Sequence, residues 1–346
     1  ALRPLFPLQK ENVMPHKALT LTTMLISLLF ISVIWQFAET DIHELAESAW
    51  TRIIGKPIYQ ISTADSAGIP MQLYGTGEEH YNPLFIARAA KKEYYRSRNW
   101  AQDERFLQLT DWLVENGVET DSTFLLPYYF DYPAYDQKQP WYSALAQAVA
   151  MNALAHRASY KRDLDVYAKA IKAMHSLRPG TAGLGFALTD STNWYMEYPG
   201  SEPYYVLNGM IGILLELHYY YKLTDDPLAY ELFAKGYNAL LIKLPEFDFH
   251  GYSRYDLKGN KAGRMYHQKH IELLSQLQEL QPHSRLKYYI TRWHKADSYP
   301  VIWQMLLNPR PKRIVAFLLP FLALWAVLYF TLASSNRKAA TGPDHS

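Results

Sequence analysis

The chain contains no cysteine in its 346 residues. That excludes disulfides, thiolate nucleophiles and cysteine-ligated zinc, while leaving open the choice between cytoplasm and periplasm. Nor is there a charge surplus: 35 basic side chains stand against 33 acidic ones, a net charge of +2. A nucleic-acid partner would demand a strong basic excess, so no nucleic acid is expected. His267 and His270 make one short-spaced pair with no clear third ligand. That falls short of a metal site, and no cofactor is expected. Low-complexity linkers are missing too, and the length suits one large domain or two smaller ones.

Tyrosine is abundant, at 28 residues. Such rings suit carbohydrate clefts, because they join a flat apolar face to a polar tip, although many also serve simply to pack a helical core. Two long apolar runs bracket the rest of the chain. Residues 18–38 carry no charge and are rich in Leu, Ile and Phe, long enough to cross a bilayer, with Trp35 placed for the interface. A cleavable signal peptide is the alternative, but the run is long for one and no clean small-residue cleavage site follows. Residues 314–335 form the second run, with Pro320 tolerable as a kink.

Two spans put both termini on one side of a lipid bilayer. Arg3, Lys10 and Lys17 before the first span favour a cytoplasmic N-terminus; Arg310, Lys312 and Arg313 before the second argue the other way. The first span usually dominates, which places the domain between them outside the cytoplasm. The expected plan is a tail (1–17), a transmembrane helix (18–38), a connector with a short β segment (39–80), a helical catalytic domain (81–296), a second transmembrane helix (314–335) and a tail (336–346).

Within the domain, apolar periodicity predicts helices over 82–98, 102–116, 140–159, 161–177, 204–223, 227–243, 265–280 and 284–293. Short β-like or turn segments fall at 124–132, 183–188 and 249–257, and a strand with turns at 57–77. Helices arriving in pairs suggest a mainly α fold, an (α/α) toroid with its cleft at one end.

The chemistry concentrates in Trp194-Tyr-Met-Glu-Tyr-Pro-Gly200, which sets the carboxylate of Glu197 beside the phenol of Tyr198 and stops a helix with Pro199. Two more phenols follow, Tyr255 and Tyr266, the latter beside His267 and one turn from His270. This inventory has proton donors and acceptors but no obvious nucleophile. It suits moving a proton on and off a carbon of a sugar acid. For Glu197 the alternative is a salt bridge to a neighbouring helix; for Tyr255, a rim residue stacking on sugar. For the two histidines it is packing with satisfied hydrogen bonds.

These motifs, in order, resemble the C-terminal domain of the D-glucuronyl C5-epimerases. The resemblance runs through Trp141-Tyr-Ser-Ala-Leu-Ala-Gln147, Trp194 to Gly200, Tyr205-Val-Leu-Asn-Gly209, Leu244-Pro245, Tyr255-Asp-Leu257, Tyr266, His267, His270 and Arg292-Trp293, covering residues 81–293. Met196 stands where the family commonly has a first glutamate, and the animal enzymes' β-rich N-terminal region has no counterpart. The resemblance implies a helical barrel and a uronate C5-epimerase turning glucuronate into iduronate within a polysaccharide, heparosan-like or another glucuronate-containing polymer. A uronate lyase and a non-catalytic polymer-binding subunit of a membrane assembly are the rival functions. Glu197 and Tyr198 then serve one face of the sugar, and Tyr255 or Tyr266 the other. Substrate contacts are expected from Arg264, His267, His270, Trp194, Asn208, Arg254 and Gln147, with Arg292 a third candidate cation and core packing the alternative for Trp141. Family relatives tend to dimerise, which adds a homodimer to the expected partners.

Overall fold

The structure is a computed structural model that describes residues 14–54, 61–74, 77–96, 104–189, 192–200 and 202–341. It divides into two compact units, Glu44–Asp297 and a second made of Ala1–His43 with Ser298–Ser346.

The larger unit is built on four helical hairpins. The helices are α2 (Pro83–Arg96), α3 (Glu104–Glu115), α4 (Ala144–Lys161), α5 (Leu164–His175), α6 (Leu207–Thr224), α7 (Pro227–Lys243), α8 (Arg264–Leu280) and α9 (Ser284–Asp297). The even-numbered helices pack side by side, α2 on α4, α4 on α6 and α6 on α8, and each odd-numbered helix lies behind the partner it follows. This is the two-layer α/α arrangement of the expected toroid. Burial explains which helices are inner. In α4 nearly every residue from Ala144 to Ala155 is buried, and α6 is apolar on most sides. A helix apolar all round needs neighbours all round.

Local chemistry sets the helix limits. Asn82 accepts hydrogen bonds from the Leu84 and Phe85 amides ahead of α2, with Pro83 in the first turn. Ser143 caps α4, so that helix starts later than the expected 140. Arg162 turns left-handed and Asp163 caps α5, which sets the break between the two expected helices a few residues later than the periodicity placed it. Asp226 and Pro227 open α7 where the sequence places it.

The short strands have a regular position. After the antiparallel sheet of β1 (Ile61–Ala64), β2 (Pro70–Leu73) and β3 (Glu79–Tyr81), each connection from an outer to the next inner helix carries a hairpin. These are β4 (Val118–Glu119) with β5 (Phe124–Leu125), β6 (Gly185–Thr189) with β7 (Thr192–Tyr195), and β8 (Asp248–Phe249) with β9 (Tyr252–Ser253). The inner-to-outer turns between α4 and α5, α6 and α7, and α8 and α9 are a few residues long. The long connections therefore gather at the N-terminal ends of the inner helices, the end where a cleft is built.

Lys91 of α2 holds the inner layer together. Its ammonium lies 2.5 Å from Glu216 of α6, and Asn152 of α4 donates to the same carboxylate at 2.8 Å. Both charged side chains are nearly buried, at 13% and 14% exposure. Lys91→Met is expected to destabilise the unit by about 3 kcal/mol, because it strands Glu216 without its counter-charge. Thermal melts of the full chain would read this, and an unchanged midpoint would show the pair to be dispensable.

In the smaller unit, the part of α1 (His16–Ile54) up to His43 and α11 (Pro311–Thr341) run antiparallel, joined at one end by the Met14 backbone and the Asn336 side chain. The short α10 (Val301–Leu307) packs Val301 and Met305 with Ile31, Trp35, Phe317 and Phe321. His16–Glu39 and Pro311–Arg337 are long and apolar enough to cross a membrane, with mean hydropathies of 2.1 and 2.3. The helix carrying the first run continues unbroken to Ile54, so the expected connector begins as its extension. Arg313, one of the basic residues flanking the second run, is buried in a two-pronged pair with Glu39, both contacts at 2.6 Å. Gln304 accepts a further hydrogen bond from it at 3.0 Å.

Candidate active site

Glu197 and Tyr198 follow β7 directly. The backbone there is held on both sides: the Met196 amide donates to Leu184 at 2.7 Å, and its carbonyl accepts from Ala144 at 3.0 Å. Met196 itself is buried in the main core. The residue at the family's first glutamate position is thus a packing residue here, and Glu197 is the one carboxylate of the Trp194–Gly200 segment. That carboxylate is 7% exposed, and its Oε2 has no hydrogen-bond partner among the described residues. Burial pushes its pKa up to about 7, although Arg88 and the Tyr198 hydroxyl both favour the charged form.

Gly209, in the first turn of α6, lets the carboxylate sit there. A Cβ at this position would lie 2.3 Å from Glu197 Oε2 and 3.0 Å from its Cβ. Gly209→Ala is expected to lower stability by about 1–3 kcal/mol through overpacking and to displace the carboxylate. Melting and turnover of the same preparation would check both; a variant matching wild type in each would disprove the contact.

Three phenols lie within the electrostatic reach of Glu197. Tyr198 and Tyr255 are half-buried, and Tyr266, in the first turn of α8, is 36% exposed. Tyr255 and Tyr266 meet edge to face with centroids 4.8 Å apart. All three phenols have raised pKa values, burial being the first cause and the Glu197 charge the second. They are neutral O–H groups at any physiological pH. Two tyrosines that the motifs did not flag complete the wall: Tyr135 stacks on Tyr198 at 4.1 Å and 9°, and Tyr132 lies 5.5 Å from it.

The loop bearing Tyr255 is fastened to the segment ahead of α6. Leu207 donates to the Tyr255 carbonyl and Leu257 to the Tyr205 carbonyl, both at 3.1 Å. These two hydrogen bonds bring Tyr255 to the Glu197 segment, which lies far from it in sequence.

The other expected substrate contacts divide. Asn208 adjoins Gly209, half-buried, with its Oδ1 unpartnered among the described residues. Gln147 is fully buried and committed to backbone: its Oε1 accepts from Leu126 at 2.9 Å and its Nε2 donates to Phe124 at 2.6 Å. Trp194 is fully buried, stacked on Phe247. His267 and His270 are buried on either side of Ser253, whose hydroxyl lies 3.0 Å and 2.7 Å from their Nδ1 atoms. The Ser253 amide donates to His267 Nδ1, so that ring carries its proton on Nε2, facing the Trp293 carbonyl. Burial drives the His267 pKa down, and that of His270 down to about 3. These four side chains hold the frame, and their burial leaves no surface for a polymer.

The arginines divide in the same way. Arg264 lies 3.6 Å from Asp297, Arg292 grips Asp248 through two contacts at 3.0 Å and 3.1 Å, and Arg254 lies over the Phe249 ring at 5.1 Å. The cation whose field reaches Glu197, Tyr128 and Tyr266 is Arg88, an exposed residue of α2. In the sequence it lies one turn after buried Leu84, at the edge of the buried face of α2, with nothing else to mark it.

The site thus sets a buried carboxylate, its pKa raised to about 7, among neutral phenols at one end of an α/α helical domain, the kind of group that marks a candidate site for acid–base chemistry. The D-glucuronyl C5-epimerase C-terminal family matches residues 120–295, just over half of the chain, and the chain belongs to that family. An uncharacterized protein of Methanocaldococcus jannaschii is 28% identical over 266 residues, covering 67% of this chain and 84% of that one. The D-glucuronyl C5-epimerase of Caenorhabditis elegans is 25% identical over 231 residues, covering 60% of this chain but only 37% of the worm protein. Among solved structures, a GH76 α-mannanase of Bacteroides thetaiotaomicron aligns with a TM-score of 0.43 and 10% identity over 83% of this chain and 84% of its own.

Proposed function

We propose that this protein is a polysaccharide uronate C5-epimerase, converting D-glucuronate to L-iduronate residues within a polymer. The observation that carries this is Glu197: buried, unpartnered at Oε2, titrating at about 7, and covered by phenols. A general base works best with a pKa near the working pH. No other group in the cluster meets that condition, since the phenols are all pushed upward.

In this reading the Glu197 carboxylate, with Tyr198 beside it, takes the C5 hydrogen as a proton. The electron pair moves into the uronate carboxylate, giving an enolate-like dianion. Arg88 and the N-terminal ends of α6 and α8 favour that charge. Tyr255 delivers its hydroxyl proton to the opposite face of C5, and Tyr266 connects the resulting phenolate to solvent. The substrate is a glucuronate-containing polysaccharide. The two apolar helices anchor the chain in a lipid bilayer, with the catalytic unit outside the cytoplasm.

The test is proton NMR of a glucuronate polymer incubated in heavy water with wild type, Glu197→Gln and Tyr198→Phe. Deuterium at C5 with new iduronate signals and unchanged chain length is the expected result, lost in both variants. Unsaturated chain ends would move the protein to a lyase. Binding without exchange would make it a polymer-binding subunit.

A further inference from the structure

Asp256 is a fully buried carboxylate in the loop that carries Tyr255. Four donors satisfy it: the amides of Lys258 and Asn260 at 3.0 Å each, the Asn260 side chain at 2.7 Å, and the Tyr135 hydroxyl at 2.9 Å. Three of these come from its own loop. The fourth comes from a segment over a hundred residues earlier, and Tyr135 is the ring that lies flat on Tyr198. One hydrogen bond therefore links the loop of Tyr255 to the ring supporting Tyr198. A second tie lies outside it, where Asp136 accepts from Tyr204 at 2.5 Å and faces Lys258 at 3.5 Å.

We propose that Asp256 and Tyr135 are positioning residues, which fix the distance between the Glu197–Tyr198 side of the sugar and the Tyr255 side. The proposal rests on the epimerase reading above and adds a role for residues outside the proton-transfer set. Inversion at C5 needs two groups at once. One must take the proton, and another must stand on the far face ready to return one. Exchange with retention needs only the first group: Glu197 takes the C5 proton, trades it with solvent and gives a deuteron back to the same face. If the Tyr135–Asp256 bond sets the spacing, breaking it removes inversion and spares exchange.

Neither partner touches C5 in this scheme. Tyr135 is wedged between Tyr198 and Asp256, and the Asp256 carboxylate is occupied by its four donors. Tyr135→Phe keeps the ring and its stack and deletes only the hydroxyl. Asp256→Asn keeps the shape of the loop anchor and removes its charge.

The experiment is the heavy-water assay on a heparosan-type glucuronate polymer, scoring deuterium at C5 in retained glucuronate separately from iduronate formed. In wild type, inversion is the main route by which deuterium enters. In both variants inversion is expected to fall about 100-fold, the cost of roughly 1 Å of misplacement at a reacting centre. Exchange with retention should fall less than about tenfold, so the ratio of deuterated retained glucuronate to iduronate formed rises by at least about tenfold. A role confined to stability would lower both rates in parallel and leave that ratio at the wild-type value, which overturns the proposal. Unchanged inversion in Tyr135→Phe overturns it as well. If Asp256→Asn fails to fold, Tyr135→Phe carries the test alone, and its ratio decides. A wild-type protein that neither exchanges nor inverts any uronate polymer would instead remove the epimerase reading, and this proposal with it. The wild-type control thus separates the two failures.

Discussion

Glu197→Gln is expected to lower turnover by about 10²–10⁴-fold, the usual contribution of a general base, while melting above wild type at pH 8. The two effects share one cause. In the unfolded chain this carboxyl titrates at its ordinary value of 4.5, and in the folded protein burial raises it to about 7. Below 4.5 both states hold the proton and the residue has no effect on the folding balance. Between 4.5 and 7 the unfolded chain gives up its proton first, so the stability contributed by the neutral form is lost as pH rises. Above 7 the folded state carries a buried charge, at a cost on the order of 3 kcal/mol. Glutamine is a neutral isostere that fits beside Gly209, and it removes that cost only where the glutamate would be charged.

The variant should therefore match wild type near pH 4 and melt several degrees higher at pH 8. The acid side behaves in the opposite sense and is common to both proteins. His270 is held neutral with a pKa near 3 against an ordinary 6.5, so its contribution is present above 6.5 and lost as pH falls toward 3. Melting temperature across pH 4 to 9 for the two proteins would decide the matter. Parallel curves would mean that Glu197 is already charged across this range and is not the poised base. Wild-type turnover should rise with pH through about 7, since the base works only when ionised.

How much of this was legible in the sequence depends on how far each structural cause reaches along the chain. The limits of α7 were readable to the residue, because Asp226, Pro227 and the apolar stripe all lie within the helix or next to it. The start of α4 was not. Trp141 pairs its backbone with Tyr128, and that long-range bridge draws residues 140–143 out of the helix their composition favours. The continuation of α1 past the apolar run was likewise missed, because the change from apolar to charged residues looks like a boundary although helical propensity does not change there.

The site shows the same division. Glu197, Tyr198, Tyr255 and Tyr266 are gathered as the motifs suggested. Gln147, Trp194, His267 and His270 belong to equally distinctive motifs, yet they are buried in the frame. A motif marks residues that a fold needs, and it does not separate those that face a ligand from those that hold a strand. Tyr135 and Asp256 show what was out of reach altogether. Their hydrogen bond spans 121 positions, and nothing in either local segment announces the other.

Arg88→Ala is expected to reduce kcat/KM by about 10²–10³-fold, comparable to removing a donor that stabilises developing negative charge. The proposed proton abstraction at C5 calls for a cation. Taking a proton from the carbon beside a carboxylate creates a second negative charge next to an existing one, so the site needs a cation close by. Arg264, Arg292 and Arg254 are held by Asp297, Asp248 and Phe249. Arg88 is exposed on an inner helix, and its field acts on both Glu197 and Tyr266.

Arg88 also favours the charged form of Glu197. Its removal should therefore raise the Glu197 pKa beyond about 7 and displace the rising limb of the pH–rate profile toward alkali. The variant then recovers part of its loss at high pH, which an arginine that only gripped the polymer elsewhere would not show. Arg88→Lys should hold the limb near its wild-type position, because the charge is kept, while still losing rate where a two-pronged contact to the uronate is needed. A profile that stays fixed in pH while its height falls would make Arg88 a binding residue remote from the base. A profile that moves with the charge at position 88 places the cation, the carboxylate and the transferred proton in one electrostatic unit.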